Sequence, residues 1–172
     1  MIIDLSEVMK DYGGRVQISG DVFMEDVAFL GETFSFDAPL HIEGSITNNT
    51  KSLELKAKVE GHAGVQCARC RKPLTVPVKF SVREILARDD GTVSHDDDVV
   101  LFSGYELDLK DIVINSFLMN VSAKYLCGED CKGLCLKCGA DLNEGECGCQ
   151  REDIDPRWAA LAEIMKKTSD TE

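Results

Sequence analysis

From Thr33 onward apolar and polar positions alternate along the chain: Phe34 and Phe36, then Leu40, Ile42 and Ile46 around Gly44, then Leu53, Leu55, Ala57 and Val59 separated by Glu54, Lys56 and Lys58. A period of two sends successive side chains to opposite faces of a pleat, which predicts strands with one buried face. The stretch Thr47-Asn48-Asn49-Thr50-Lys51 predicts a turn, because asparagine tolerates positive φ and bonds its own backbone. Gly61-His62-Ala63-Gly64 predicts a second interruption, and the whole reads as an antiparallel meander.

A second alternating run follows Cys67-Ala68-Arg69-Cys70, with Leu74, Val76, Val78, Phe80 and Val82 on one face. Pro73 and Pro77 lack a ladder donor, so this strand is expected to begin at a sheet edge, with the cysteine pair at a hairpin tip. Residues 1 to 32 show no clean period beyond short strands around Val16 to Ile18 and Val27 to Leu30. Period 3.6 appears at Leu109, Ile112, Val113, Phe117 and Leu118, with Asp108 as N-cap. It returns after Asp155-Pro156, where Trp158, Leu161, Ala162, Ile164 and Met165 form a stripe and Pro156 takes the first helical position.

These elements predict an α+β fold: an antiparallel meander sheet or partly closed β-barrel with two packed helices and a small zinc-binding finger. The expected divisions are a β-rich body with one helix over 1–125, a cysteine-rich finger over 126–150, a C-terminal helix packed on the body over 151–167 and a frayed tail over 168–172.

Composition turns attention to the cysteines. With 172 residues, 44% of them hydrophobic, the chain can bury a core without a covalent staple, so its eight cysteines have another task. Asp4 interrupts the N-terminus, where no basic or long apolar segment suggests a leader or membrane anchor. That predicts a cytoplasmic protein with reduced thiols, in which paired cysteines hold metal more often than they form disulfides.

Six cysteines fall within 23 residues: Cys127, Cys131, Cys135, Cys138, Cys147 and Cys149. Cys135-Leu136-Lys137-Cys138-Gly139 has the form of a metal knuckle, because a two-residue spacer brings both sulfurs to one ion and the glycine relieves the turn. Cys147 and Cys149 can supply the other two corners, and Cys67, Cys70, Cys127 and Cys131 then make a second set. Soft ligands without histidine favour Zn2+, one or two per chain. A rival partition joins Cys67 and Cys70 to Cys135 and Cys138, and His62 is a reserve ligand. The spacings match neither common ferredoxin run, which disfavours an iron-sulfur cluster.

The formal net charge is -12, which argues against a protein coated in nucleic acid or lying on an anionic membrane. Between Arg69 and Arg88, however, six basic residues face Glu84 alone. The plain reading is a solvated strand face; the sharper one is a phosphate-contacting strip of Arg69, Arg71, Lys72, Lys79 and Arg83. The acidic residues of 89–98 do not fall at calcium-loop offsets and read as a solvated loop. A redox role for Cys67 and Cys70 is disfavoured because Pro73 and a strand, not a helix, follow them. His41-Ile42-Glu43 only superficially echoes a zinc deaminase, since it lies in a period-two strand and Gln66, not proline, precedes Cys67. No phosphate loop, nucleophile elbow or HExxH motif suggests a catalytic site or a small-molecule substrate.

The blocks Glu129-Asp130-Cys131-Lys132-Gly133-Leu134-Cys135, Cys138-Gly139-Ala140-Asp141-Leu142-Asn143, Cys147-Gly148-Cys149 and Ile154-Asp155-Pro156-Arg157-Trp158 closely resemble the C-terminal signature of YceD-like proteins, the large ribosomal RNA subunit accumulation proteins. The upstream Cys67-x2-Cys70 is similar to that family's pattern, and the resemblance runs from about residue 35 to residue 165. It implies a non-enzymatic bacterial factor for large-subunit biogenesis, needed for 23S ribosomal RNA accumulation. The implied partners are precursor 23S RNA or an early large-subunit ribosomal protein. Some branches of the family lack the C-terminal finger, so in this chain the finger is expected to stabilise the fold or dock a partner.

Overall fold

The computed structural model describes residues 1–49, 52–89 and 99–149. The chain divides into two compact units, Met1–Cys131 and Lys132–Glu172. In the first, strands β1 (Ile2–Asp4), β2 (Arg15–Val22), β3 (Val27–Phe29), β4 (Glu32–Phe34), β5 (Leu40–Asn48), β6 (Leu53–Gln66), β7 (Pro73–Arg88), β8 (Val99–Phe102) and β9 (Glu106–Asp108) precede helix α1 (Leu109–Asn120). The main sheet has the order β2-β5-β6-β7-β8 and curls into a half-barrel. Two small ribbons, β1-β9 and β3-β4, accompany it.

The alternation sets this register. Leu40, Ile42, Ile46, Leu55, Val59, Phe80 and Val82 are buried on one face, while His41, Glu43, Lys58, Lys79 and Arg83 stand exposed. β6 pairs with β7 along the whole of β6, from Leu53↔Leu86 to Gln66↔Pro73, and the six residues between the strands carry Cys67 and Cys70 at the hairpin tip. β8 covers only Ile85 to Arg88 on the other side of β7, so among the described residues Pro73 and Pro77 lie on an edge, where a missing donor costs no ladder bond.

Three expectations change. Gly61 and Gly64 do not interrupt β6, because their lack of a side chain serves close approach rather than a turn. A Cβ on Gly61 would come within 2.5 Å of Leu40 Cδ2, and one on Gly64 would collide with Ser35 Oγ. Ser35 and Gly64 also exchange backbone hydrogen bonds of 3.0 and 2.8 Å, tying the chain after β4 to the far half of β6. The meander is not wholly antiparallel: after residues 89–98, β8 runs parallel to the end of β7, a pairing that needs a crossover of this order of length. The described residues hold one helix rather than two packed helices, and the second expectation, from Asp155-Pro156 onward, lies outside them, as do residues 90–98 of the acidic loop.

Helix α1 starts where Asp108 accepts from the Lys110 N–H at 3.0 Å, and the Met1 amine approaches the same carboxylate at 3.2 Å. Leu109, Ile112, Val113 and Phe117 form its buried stripe. Phe117 is the hub: its ring meets Phe34 and Phe36 edge-on at 5.3 Å and lies 6.3 Å from Phe80. Phe34 in turn meets Tyr125 at 6.0 Å, so the core extends to the segment leading into Cys127.

The unit beginning at Lys132 has another character. Among its described residues no apolar side chain is buried, and its order comes from turns: a Leu134↔Asp141 bridge, a Leu142 N–H to Gly133 carbonyl bond and Asn143 Oδ1 accepting from the Lys132 N–H. No helix among the described residues is long and apolar enough to cross a membrane.

Candidate metal centres

Each cysteine knuckle is shaped by two backbone bonds. At the hairpin tip the Cys67 N–H donates to the Lys72 carbonyl at 2.8 Å and the Arg71 N–H returns to the Cys67 carbonyl at 2.9 Å. In the second unit Cys135 N–H to Ala140 and Gly139 N–H to Cys135, both 2.8 Å, repeat the design. These turns point paired thiols inward. The hairpin tip is also held from outside: Ala68 N–H donates to the Tyr125 carbonyl at 2.9 Å, and Arg69 Nη1 donates to the carbonyls of Cys131 at 2.8 Å and Glu129 at 3.2 Å. Arg69 thereby orders the loop that presents Cys131.

The result is two groups of four sulfurs, Cys67, Cys70, Cys127 and Cys131, and Cys135, Cys138, Cys147 and Cys149, each with its sulfurs within 4.8 Å of one another. The partition into one set within the finger and one joining it to the hairpin tip is thus the one the geometry adopts; the rival pairing of Cys67 and Cys70 with Cys135 and Cys138 is not formed, and His62 belongs to neither group. In the first group Cys67 and Cys131 sulfurs lie 3.8 Å apart and Cys70 and Cys127 sulfurs 3.6 Å. Four ligands at about 2.3 Å around a tetrahedral ion have edges of about 3.8 Å, whereas a disulfide requires about 2.05 Å. The spacing suits an ion between thiolates, and none of the eight cysteines is in a disulfide.

Burial separates the two groups. Cys67, Cys70 and Cys131 are buried and Cys127 exposed, whereas in the second group Cys135 and Cys147 are half-buried and Cys138 and Cys149 exposed. Their electrostatics are alike. N–H donation, chiefly from Cys70 and also from Arg69 and Cys127, lowers Cys67 to about 6, and donation from Cys138 and Lys137 lowers Cys135 to about 6. Contact with the Cys131 and Cys70 thiols raises Cys127 to about 12, and contact with Cys138 and Cys147 raises Cys149 to about 12. Thiolates this close repel unless a cation lies among them, so each set is chemically fitted to a divalent metal ion.

The expected basic strip is divided in its surroundings. Lys79 Nζ pairs with Glu60 at 2.7 Å across the β6-β7 ladder, and Arg83 Nε lies 3.9 Å from the Glu54 carboxylate, which also holds Lys56 Nζ at 2.6 Å. Pairing with Lys79 lowers the Glu60 pKa, and the Lys56 hydrogen bond lowers that of Glu54. Arg71 and Lys72 stand exposed at the tip. The knuckle spacing could be read in the sequence, but the cross-strand carboxylates could not, because Glu54 and Glu60 lie far from Arg83 and Lys79 along the chain.

A family model described as large ribosomal RNA subunit accumulation protein YceD matches residues 55–165, a span that contains β6 from Leu55 onward, β7, α1 and all eight cysteines. The chain belongs to the YceD family. That family is named for the accumulation of large-subunit ribosomal RNA and not for a catalysed reaction. A Mycobacterium tuberculosis protein is 34% identical over 109 residues, 62% of this chain and 52% of its own length. The chloroplastic YCED homolog 1 of Arabidopsis thaliana, itself called a large ribosomal RNA subunit accumulation protein, is 31% identical over 67 residues, 39% of this chain and 21% of that one. YlbN of Bacillus subtilis is 22% identical over 135 residues, 78% of each chain. The chain thus spans about half the length of the mycobacterial relatives it matches, and no solved structure matches it.

Proposed function

We propose that this chain is a non-enzymatic cytoplasmic factor for large ribosomal subunit biogenesis that supports 23S ribosomal RNA accumulation by holding precursor RNA, with Zn2+ in both cysteine groups as a structural ion. Family membership over residues 55–165 carries the reading. The metal assignment is supported by two all-sulfur donor sets of tetrahedral size. In the first, zinc would fasten the hairpin tip to the chain after α1; in the second, it would order a segment without a buried core. The phosphate contacts are sought within the strip from Arg69 to Arg83, because residues 61–83 contain no Asp or Glu in a chain that has 31.

A zinc-stabilised adaptor for an early, basic ribosomal protein is the second reading, favoured by the net charge of -12. Ribosome profiles of a depletion strain test the first reading. It requires a deficit of large subunits and 23S RNA, restored by the wild-type chain, and unchanged profiles would refute it. If 23S RNA falls but no RNA crosslinks to the protein in cells, the adaptor reading replaces it. Elemental analysis of purified protein should give two zinc ions per chain, and metal-free protein with eight titratable thiols and an intact finger would remove the structural-ion assignment.

A further inference from the structure

Two knuckles of one design differ at the residue that follows the second cysteine, Arg71 in one and Gly139 in the other. In each, the residue four after the first cysteine returns its N–H to that cysteine's carbonyl and adopts a left-handed backbone, with φ 61° at Arg71 and 73° at Gly139. Glycine enters that region freely, whereas a residue with a Cβ is strained there. The finger shows that glycine satisfies the turn. An arginine held in the same conformation on the body therefore serves something other than the turn.

The fate of the other cations narrows what that is. Lys79 and Arg83 lie on the sheet face against Glu60 and Glu54, and Arg69 is folded onto the carbonyls of Glu129 and Cys131. Arg88 stacks over the Tyr105 ring, its guanidinium carbon 4.8 Å from the centroid. The side chains of Arg71 and Lys72 make no ion pair or hydrogen bond among the described residues. They are adjacent, exposed and fixed to a rigid turn, in the 23-residue stretch 61–83 that lacks any carboxylate side chain. A polyanion approaching a molecule of net charge -12 meets two adjacent exposed cations there and no carboxylate side chain from that stretch of chain.

We propose that Arg71 and Lys72 are the RNA contact, gripping two phosphodiester groups of a single-stranded segment, while Lys79 and Arg83 remain within the sheet's own ion pairs. This rests on the reading of direct RNA binding above. The planar guanidinium supplies paired donors to phosphate oxygens and the lysine a point charge, so the contact is to the backbone and carries little sequence preference. The left-handed turn fixes where the Arg71 side chain departs from the knuckle.

The test uses the zinc-loaded full chain and a fluorescein-labelled single-stranded RNA oligonucleotide from 23S precursor, followed by anisotropy over a KCl series. The double variant Arg71→Gly, Lys72→Gln should bind about tenfold more weakly at low salt, and its log-log salt slope should fall by about 1.4, the value for two phosphates of a single strand. Lys79→Gln, Arg83→Gln should stay within about twofold of wild type, since those cations are already paired. Zinc content should be equal in all three proteins, and polyglutamate should not compete with the RNA. A loss of affinity confined to the sheet-face pair overturns the proposal. So does loss of zinc from the tip variant, which would make the two cations counter-ions of the thiolates, and so does competition by polyglutamate. Absence of RNA binding by the wild type at low salt also overturns it, whereas the biogenesis reading fails separately, on an unchanged subunit profile in the depletion strain.

Discussion

Arg71→Gly should stabilise the protein while weakening its grip on RNA. At φ 61° the arginine carries the clash between Cβ and its own backbone that makes left-handed geometry costly, about 1 to 2 kcal/mol for an L-residue. Glycine removes the clash but adds freedom to the unfolded chain, worth about 0.5 to 1 kcal/mol. The net gain is about 0.5 to 1 kcal/mol. For a chain of this size that raises the melting temperature by about 1 to 4 °C. The assay is a thermal melt of the zinc-loaded protein followed by circular dichroism, with Arg71→Ala as the partner variant. Alanine removes the same charge but keeps a Cβ, so it should bring no comparable gain. Equal stabilisation by both variants would place the effect in charge rather than backbone, and destabilisation by glycine would refute the argument outright.

Three further outcomes are expected. Phe117→Ala, which empties the centre of the Phe34, Phe36 and Phe80 cluster at a residue only 2% exposed, should cost about 3 to 5 kcal/mol in urea unfolding; an unchanged midpoint would contradict the packing of α1. Chelation should abolish amide protection in residues 132–149 while β5, β6 and β7 stay protected in hydrogen exchange, because among the described residues the buried apolar core lies in the first unit. Asp108→Ala should cost about 0.5 to 2 kcal/mol near neutral pH through loss of the N-cap. The Asp108 pKa is lowered, first by the Lys110 N–H, so the carboxylate's contribution is present above the usual carboxylate range and is lost as pH falls through its folded value. The gap between the variant and wild type should therefore close in acid and stay constant through neutral pH.

What the sequence disclosed followed from local physics. Alternation in Leu53 to Val59 and Leu74 to Val82 located β6 and β7, Asp108 marked the start of α1, and the cysteine spacings offered two partitions of the sulfurs, between which only the folded geometry chooses. Gly61 and Gly64 misled because glycine is equally apt for turns and for close packing, and only the approach of Leu40 and Ser35 decides between them. The pairing of β1 with β9 and the parallel course of β8 depend on partners far along the chain, which no local period records. The strip from Arg69 to Arg88 looked uniform in one dimension. In the sheet, Glu60 and Glu54 arrive from the neighbouring strand and divide it.

The first cysteine group also sets an order of events. Cys67 and Cys70 precede their partners by 64 and 57 residues, so during synthesis the hairpin can form long before its fourth sulfur has emerged. An ion offered early meets two ligands, and four-fold coordination awaits a chain extended past α1 to Cys131. Closing that 64-residue span rather than the roughly 14 residues from Cys135 to Cys149 differs by about 1.3 kcal/mol of chain entropy, which capture of the ion removes from the unfolded state. If the body holds an ion as proposed, its firm retention would mark that translation has passed the helix and reached Cys131, a mark that the short finger does not give.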